Sequence, residues 1–307
     1  MMVRERANAL WQAAESRLDR AFGAGANPLR HLGALAFLLF WIAAATGIYL
    51  YVFVDTSAAG AWRSVEDMRV MRSLHRYASD AMVLATLAHL AREFLAGHAG
   101  GFRWFSWMSG VPLIVLLYAS GIGGYWLVWD QLALFSATAT AEWLDWPGVA
   151  AEPFARNFLS ADQVIDRLFT LFLFLHIGIP LALLAGMWVH VQRVSRPDSF
   201  PCRELAAGTL LALLVLTIAW PVPSHPQADP AQAPATLALD WLYLFPHPLM
   251  YATSPGALWA MVAGALLLLL AWPWLGRTER LPAAVVSAED CNGCGRCFAD
   301  CPYSAIV

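Results

Sequence analysis

The chain has 307 residues, of which 59% are hydrophobic and 13% charged, and its mean hydropathy is +0.55. These values exclude a soluble protein of this size and predict several membrane-spanning helices. The net charge is −3 and all 19 basic residues are arginine, which argues against a nucleic-acid partner. Because Glu5, Glu15 and Asp19 interrupt the N-terminal segment, no cleavable signal peptide is predicted.

Residues 3–22 form the first predicted element, an amphipathic helix. Apolar side chains recur there at helical spacing, and the arginines lie elsewhere around the turn. A helix with one apolar and one basic face lies along a membrane surface. We therefore expect segment 1–30 to be a surface helix at the cytoplasmic face.

Six hydrophobic stretches follow, each near the ~20 residues that cross a bilayer core. They are 32–54, 74–96, 110–129, 168–192, 205–221 and 256–275. Most arginines lie in the N-terminal segment, the second–third and fourth–fifth connections, and the C-terminal tail. The positive-inside rule makes these segments cytoplasmic and puts the long connections 130–167 and 222–255 on the opposite side. Long ordered connections of this kind are typically functional or covering elements.

Four histidines lie inside predicted spans, His75 and His89 in the second span and His176 and His190 in the fourth. The members of each pair are 14 residues apart, so they share one helix face about 21 Å apart along the axis. Both spans run in the same direction, so His75 is expected to lie opposite His176, and His89 opposite His190. Facing imidazoles can hold a haem iron from both axial sides. A single such histidine is equally well explained by a hydrogen bond between helices, but four at equal spacing favour two haem sites.

A glycine pattern has the same period as the histidines. Gly33 and Gly47 in the first span, and Gly110 and Gly124 in the third, are also 14 residues apart. Glycine lets a flat macrocycle approach a helix backbone closely. Small residues more often mark helix packing in membranes, but the shared period favours clearance for haem.

Three arginines lie close to the histidines along the chain. Arg72 and Arg76 flank His75 within a turn, and Arg92 follows His89 by three residues. Arginine is well suited to pair with the carboxylates of haem propionates. For Arg92, a simple flanking charge at the cytoplasmic membrane face is an equally good interpretation.

Several motifs around these residues resemble the cytochrome b of the bc complexes, closest to its chloroplast and cyanobacterial form. They are Arg72-Ser-Leu-His75-Arg76-Tyr, His89-Leu-Ala-Arg92-Glu-Phe-Leu-Ala-Gly97, Trp107-Met-Ser-Gly110-Val and Gly124-Tyr-Trp-Leu-Val-Trp-Asp130-Gln131. The resemblance covers about residues 20–200. It implies a four-helix bundle with two b-type haems, one on His75 and His176 toward the non-cytoplasmic face and one on His89 and His190 toward the cytoplasm. The family usually has proline where Val128 stands, and no Cys-x2-Cys-His motif for an extra covalent haem occurs.

The resemblance continues more weakly beyond residue 200. Leu239-Asp240-Trp241-Leu242-Tyr243 is similar to the family's Pro-Glu-Trp-Tyr motif beside the quinol-oxidation pocket, with two replacements and one inserted residue. If Asp240 faces that pocket, its carboxylate can accept a proton from quinol. The alternative, slightly favoured by the broken motif, is an aromatic belt at the membrane interface with Asp240 in solvent.

A cysteine-rich segment follows the last span. Cys291, Cys294, Cys297 and Cys301 have the Cys-x2-Cys-x2-Cys-x3-Cys-Pro spacing of a bacterial ferredoxin and predict a 4Fe-4S cluster. Either Cys301 closes a single cluster, or residues beyond this chain complete it and support a second one. We expect an incomplete ferredoxin domain, because so short a segment cannot bury a core. Cys202 is interpreted as a free thiol.

The remaining polar residues of interest receive simpler interpretations. His31 and His98 lie at cytoplasmic span ends and are expected to be interfacial. His225 and His247 lie in the connection 222–255, where a solvated loop position is favoured over a metal or quinone contact. Asp80 is expected to pack against polar groups inside the bundle.

Together these patterns predict an all-α membrane protein with four segments. These are a cytoplasmic surface helix (1–30), a four-helix di-haem bundle (31–200), two further transmembrane helices with their connection (201–278) and a ferredoxin-type 4Fe-4S segment (279–307). The predicted function is electron transfer across a bacterial cytoplasmic membrane between the quinone pool and redox partners, as an oxidoreductase subunit of a bc-like complex. Possible partners are a c-type cytochrome or Rieske-type subunit outside and a soluble redox protein in the cytoplasm, and the resemblance implies a homodimer.

Two alternatives remain. The first is the membrane anchor of a quinone-linked dehydrogenase that lacks a bc-type quinol-oxidation site. The second is a membrane module without redox function, which both 14-residue patterns and the cysteine spacing disfavour.

Overall fold

A computed structural model describes residues 2–158, 166–192, 198–232, 234–275, 287 and 289–297. Within these residues the regular structure is helical, apart from an isolated β-bridge between Asp130 and Gln227. The α-helices are α1 (Met2–Phe22), α2 (Leu32–Phe53), α3 (Ala61–Asp67), α4 (Arg69–Leu95), α5 (Trp104–Trp126), α6 (Gln131–Asp145), α7 (Asp166–Val191), α8 (Arg203–Ala219), α9 (Trp241–Leu244), α10 (Pro246–Ala252) and α11 (Pro255–Leu275). Short 3₁₀ turns occur at Ala24–Ala26, Gly101–Arg103 and Phe154–Phe158.

Each of the six predicted spans is a helix. In the described part of the chain, α2, α5, α7 and α11 are long and apolar enough to cross a membrane. Helix α4 has 27 residues but carries several charged side chains, and α8 has only 17 residues. Both pack into the same core as the apolar helices, which is where a buried charged helix can be accommodated.

The bundle core is built from two closely packed helix pairs. Helix α2 packs along α4, and α5 packs along α7. Their buried side chains share one cluster, to which α8 adds Leu213 and the connection before α11 adds Tyr243 and Leu244. Because lipid is as apolar as leucine, close packing and buried polar contacts hold such helices together rather than exclusion from water.

Helix α1 is present as predicted and is fastened to the bundle. Glu15 is buried and accepts a hydrogen bond from Arg92 on α4 at 2.8 Å. Asn27, also buried, donates to Asp19 at 2.7 Å, and Arg30 pairs with Asp19 at 2.6 Å. These contacts lower the pKa of Asp19 to about 2. Several apolar side chains of α1 stay exposed, as expected for a helix on a membrane surface: Val3, Leu10 and Phe22.

One end of the bundle, which we call the loop end, is covered by the connections between α5 and α7 and between α8 and α11. The first connection contains α6, where the sequence predicted only a long connection. Asp130 caps this helix by accepting the N–H of Ala133 at 2.8 Å, and it also accepts the N–H of His225 at 3.0 Å. Two main-chain hydrogen bonds join the connections further, from Ala228 N–H to the carbonyl of Trp129 and from Gln131 N–H to that of Pro226. The opposite end, where α1 lies, is called the α1 end.

Candidate functional site

The first histidine pair lies near the loop end of the bundle. His75 of α4 and His176 of α7 have ring centroids 6.1 Å apart, with their planes at 73°. Two metal–nitrogen bonds of about 2 Å, added to a ring radius of about 1.2 Å on either side, give roughly 6.4 Å between centroids. The observed separation therefore fits one metal atom between the two rings.

Hydrogen bonds fix which nitrogen of these rings is free. His75 Nδ1 lies 2.9 Å from the carbonyl oxygen of Ala43, and His176 Nδ1 lies 3.0 Å from that of Ser120. A carbonyl can only accept, so each Nδ1 carries the proton and donates it. Each Nε2 then holds a lone pair, the form in which imidazole binds a metal.

The second pair, His89 and His190, lies toward the α1 end. His190 Nδ1 is 3.0 Å from the hydroxyl of Ser109, which itself donates to the carbonyl of Phe105 at 2.8 Å. The serine proton is already used, so Nδ1 of His190 is again the donor and Nε2 is again free. His75, His176 and His190 thus each present a free Nε2, the form in which imidazole binds a metal.

Each glycine of the 14-residue pattern lies against one of these imidazoles. A Cβ atom added at Gly47 would stand 3.1 Å from His75 Cε1, and one at Gly124 would stand 3.0 Å from His176 Cε1. The corresponding distances are 3.3 Å from Gly110 to His190 and 3.5 Å from Gly33 to His89. The glycines and histidines share a period because the glycines of α2 and α5 make room for the rings of α4 and α7. This contact is a more direct reason for glycine than clearance for a macrocycle.

The three arginines are paired with protein carboxylates. Arg72 pairs with Glu66 at 3.2 Å. Arg92 pairs with Glu15 and with Glu93, at 2.8 and 3.1 Å. The contact with Glu15 joins α1 to α4 through Arg92, whichever of its two interpretations holds.

Arg76 is the most heavily engaged of the three. Its Nε donates to Asp80 at 2.7 Å, and its guanidinium also pairs with Asp240. It lies over the rings of Tyr125 and Tyr243, at 4.6 and 5.3 Å from their centroids, within cation–π range. The expected polar partner of Asp80 is thus Arg76.

The carboxylate of Asp240 is mostly buried, with 23% of the side chain exposed, and it is not free. One carboxylate oxygen accepts the N–H groups of Leu242 and Tyr243, at 2.8 and 3.3 Å, which caps α9. The other oxygen pairs with Arg76. The interpretation of Asp240 as a solvated residue in an aromatic belt is therefore wrong.

The described part of the cysteine segment is exposed and contains two glycines in the left-handed region. Gly293 and Gly295 have positive φ values of 66° and 71°, which glycine adopts without strain. The thiols of Cys291, Cys294 and Cys297 are exposed, while Cys301 lies outside the described residues. Within the described ranges, no three metal-ligating side chains meet in one cluster.

His247 is the functional candidate that the sequence interpretation placed wrongly. It was expected to be solvated, but only 2% of it is exposed. Its Nε2 contacts the hydroxyl of Thr140 on α6 at 2.9 Å. Its burial results from packing against α6, a helix that the sequence did not reveal.

These observations define an all-helical membrane bundle with paired imidazoles at two levels, and comparisons with known proteins agree with this class. The family model "Cytochrome b(N-terminal)/b6/petB" matches residues 80–223, and a 4Fe-4S binding-domain model matches residues 284–307. Cytochrome b6 of Porphyra purpurea is 30% identical over an alignment of 173 residues, and the match covers 54% of this chain and 80% of that protein. Cytochrome b6 of Pyropia yezoensis is 29% identical over 176 residues, with the same coverage.

A solved structure described as a hyperthermophilic respiratory Complex III has the same fold. Its TM-score is 0.63 at 20% identity, covering 81% of this chain and 76% of that one. The present chain belongs to the cytochrome b/b6 family and carries a C-terminal segment of the 4Fe-4S binding type. It is an integral membrane protein of a haem b family.

Proposed function

We propose that this chain is a di-haem cytochrome b subunit that carries electrons across the membrane, with a 4Fe-4S centre at its C-terminal end. The observation that carries the proposal is the pair of imidazoles 6.1 Å apart, each with its Nδ1 proton donated to a neighbouring helix. Haem iron bound between such rings supplies one-electron redox chemistry. His75 and His176 would hold the haem at the loop end, and His89 and His190 the one at the α1 end.

The surrounding residues prepare these sites in advance. The main-chain carbonyls that accept the Nδ1 protons orient the rings and increase the basicity of Nε2. The glycines allow each ring to stand against the adjacent helix. Arg72, Arg76 and Arg92 each retain N–H donors beyond those used by their carboxylate partners, so they are candidates to hold haem propionates.

We place the protein in a bacterial cytoplasmic membrane with both termini cytoplasmic, and the arginine distribution supports this orientation. The likeness to a Complex III structure supports membership of a bc-like complex that exchanges electrons with the quinone pool. A c-type cytochrome or Rieske-type subunit would then dock at the loop end, and a soluble redox protein would meet the cluster. We propose a homodimer on the same likeness.

The test uses single substitutions of one ligand at each level. In His176→Leu we expect loss of the loop-end haem alone, and in His190→Leu loss of the α1-end haem alone. Each variant should keep the optical spectrum of one b-type haem, with an altered midpoint potential. His225→Leu, outside both pairs, is the control and should keep both haems. If either ligand variant keeps the full haem complement, the assignment of that pair fails.

A second candidate function is the membrane anchor of a quinone-linked dehydrogenase, without a bc-type quinol-oxidation site. The engagement of Asp240 by Arg76 and by the α9 N–H groups favours it, because a carboxylate so occupied is a poor proton acceptor. In Asp240→Asn, unchanged quinol-dependent haem reduction would support the anchor. A loss of about 10²-fold or more would restore Asp240 as the proton acceptor.

A further inference from the structure

The cysteine segment after α11 lacks cover where the structure describes it. Residues 289–297 are exposed throughout, and so are the thiols of Cys291, Cys294 and Cys297. Hydrogen bonds to the sulfur atoms and partial exclusion of solvent set the reduction potential of a 4Fe-4S cluster. A cluster held here therefore takes its cover from other residues, and the bundle to which the segment is attached offers a surface.

Helix α11 ends against α4 and α5, at the α1 end of the bundle. Trp107 of α5 donates its indole N–H to the carbonyl of Leu269 at 2.6 Å. The ring of Trp272 lies 4.9 Å from that of Phe94 on α4. The helix ends at Leu275, sixteen residues before the first cysteine. Such a connection reaches about 50 Å when fully extended, so a return to the surface around Leu275 uses only part of its length.

Four side chains around the end of α11 form a surface that we call the exit strip: Arg4, Arg103, Trp104 and Trp274. The rings of Trp104 and Trp274 have centroids 6.3 Å apart and are 47% and 67% exposed. Arg103 precedes Trp104 in the chain and contacts His98 at 2.9 Å. Arg4 reaches the adjacent residue, because a Cβ atom at Gly97 would stand 3.7 Å from its guanidinium. The exit strip thus combines two apolar rings with two cations.

The charge of the cysteine segment is opposite to that of the exit strip. Residues 287–307 contain three carboxylates, Glu289, Asp290 and Asp300, and one cation, Arg296. Thiolate ligands add further negative charge. Complementary charges fix the register of two protein surfaces, while aromatic side chains at the centre of the contact are buried. Both features of the exit strip therefore match this segment as its occupant.

We propose that the 4Fe-4S segment, residues 289–307, docks on the exit strip of its own chain. Its cysteine loop lies against the two tryptophans, and its carboxylates lie toward the two arginines. This docking rests on the proposed 4Fe-4S centre. Tryptophans at the ends of membrane helices also contact lipid headgroups, which makes lipid the competing occupant. The exit strip favours the segment because an acidic part of the same chain is tethered beside it.

Docking at this position brings the two proposed cofactor sites of the α1 end together. Gly110 lies against His190, one of the proposed ligands at this end. Trp104 precedes Gly110 by six residues on α5, which is about 9 Å along the helix axis. The exit strip is thus the surface through which the segment and the α1-end histidine pair become neighbours.

The experiment is photo-cross-linking from the exit strip in the full-length protein. The photoreactive amino acid p-benzoylphenylalanine is incorporated in place of Trp104 or Trp274, and membranes containing the protein are illuminated. Cross-linked peptides are identified by mass spectrometry. The control position is Phe200, an exposed ring at the same end that packs against Phe37 of α2. Haem content and the 4Fe-4S signal in electron paramagnetic resonance are recorded for every variant, which identifies any that fails to fold.

Charge reversal tests the two arginines. With the photoreactive group at Trp274, Arg4→Glu combined with Arg103→Glu places like charges opposite the acidic segment. We expect the cross-linking yield to fall about tenfold. Arg17→Glu combined with Arg20→Glu is the matched control, because it makes the same change of charge at exposed positions of α1 about 20 Å from Arg4 along the helix. The yield should stay within about twofold in that control.

Cross-links from both tryptophan positions to residues 289–307 of the same polypeptide, with none from the Phe200 position, would support the docking. Cross-links only to lipid, to another protein or to a second copy of the chain would overturn it, and a second copy is recognised by doubled mass on a denaturing gel. An equal yield in the two charge-reversal variants would overturn the role of the arginines. A 4Fe-4S signal without cross-links to the segment overturns the docking alone. If the wild-type protein has no 4Fe-4S signal, the proposed iron–sulfur centre fails, and the docking fails with it.

Discussion

Arg76 and Asp240 form an ion pair between the residue that follows His75 on α4 and the residue that caps α9. The pair joins two parts of the chain that are far apart in sequence. Arg76 is also held by Asp80 and by two tyrosine rings, so the connection before α11 is fastened directly beside a proposed haem ligand. A change in the position of this connection must therefore affect the surroundings of His75.

Gly124→Ala should disturb the loop-end haem site. The added methyl group would stand 3.0 Å from His176 Cε1, closer than ordinary van der Waals contact, and overpacking of this kind costs about 1–3 kcal/mol. We expect reduced occupancy of that haem and a shifted midpoint potential, measured by optical redox titration. Gly178→Ala on α7, where an added Cβ meets nothing within 4 Å, is the control. Equal effects of the two substitutions would contradict the proposed role of glycine.

Arg92→Gln should loosen α1 from the bundle. Arg92 donates to the buried Glu15 at 2.8 Å, and a hydrogen bond between charged groups contributes roughly 1.5–3 kcal/mol. We expect tryptic cleavage at Arg17 and Arg20 to become faster by about tenfold. The double variant with Glu15→Gln should be faster than Arg92→Gln by less than the effect of Glu15→Gln alone, because the two residues share one contact while Glu15 also contacts Trp11 and Arg30. Additive effects would contradict that coupling.

Acid should destabilise the contact between α6 and α10 through His247. Burial lowers the pKa of this residue to about 4 from its ordinary value of 6.5. Between these values the unfolded chain binds a proton that the folded chain does not, so stability falls as the pH is lowered from about 6.5 to about 4. The total loss is on the order of 3 kcal/mol.

The measurement for this prediction is the thermal midpoint of purified protein as a function of pH. His247→Gln has no titrating ring and should show a flatter profile across that window. If wild type and variant have parallel profiles, His247 does not titrate between its unfolded and folded environments as described.

Cys294→Ser should remove the 4Fe-4S signal and leave the haems in place. Thiolate ligands hold such clusters, whereas the imidazole pairs lie on α4 and α7. We expect the iron–sulfur signal in electron paramagnetic resonance to disappear while the optical haem spectrum keeps its intensity. Cys202→Ser, at the start of α8, should change neither. A persistent cluster signal in Cys294→Ser would remove this residue from the ligand set.

The sequence predicted those parts of the molecule that depend on a repeated local pattern. The six spans follow from hydropathy, and the pairing of histidines with glycines follows from a common 14-residue period. Helix α6 was missed because most of its buried residues are small, among them Ala133, Ala137 and Ala141, which give no strong apolar period.

The contacts of Asp240 and His247 could not be predicted for a different reason. Each depends on a partner far away in the chain, Arg76 for Asp240 and Thr140 for His247. No local pattern indicates that a polar residue in a proline-rich connection will be buried, because burial there is decided by how α6, α9 and α10 pack. The ion pair of Asp240 is visible only in the folded chain.

The most direct test of the two-haem bundle is the haem content of the purified wild-type chain, combined with its reduced-minus-oxidised optical spectrum and its electron paramagnetic resonance spectrum. We predict two low-spin b-type haems per polypeptide, one on each of the two proposed histidine pairs. A single haem would show that one of the two histidine pairs does not bind haem. If no haem is found, the four imidazoles only make ordinary contacts between helices, and the account is contradicted.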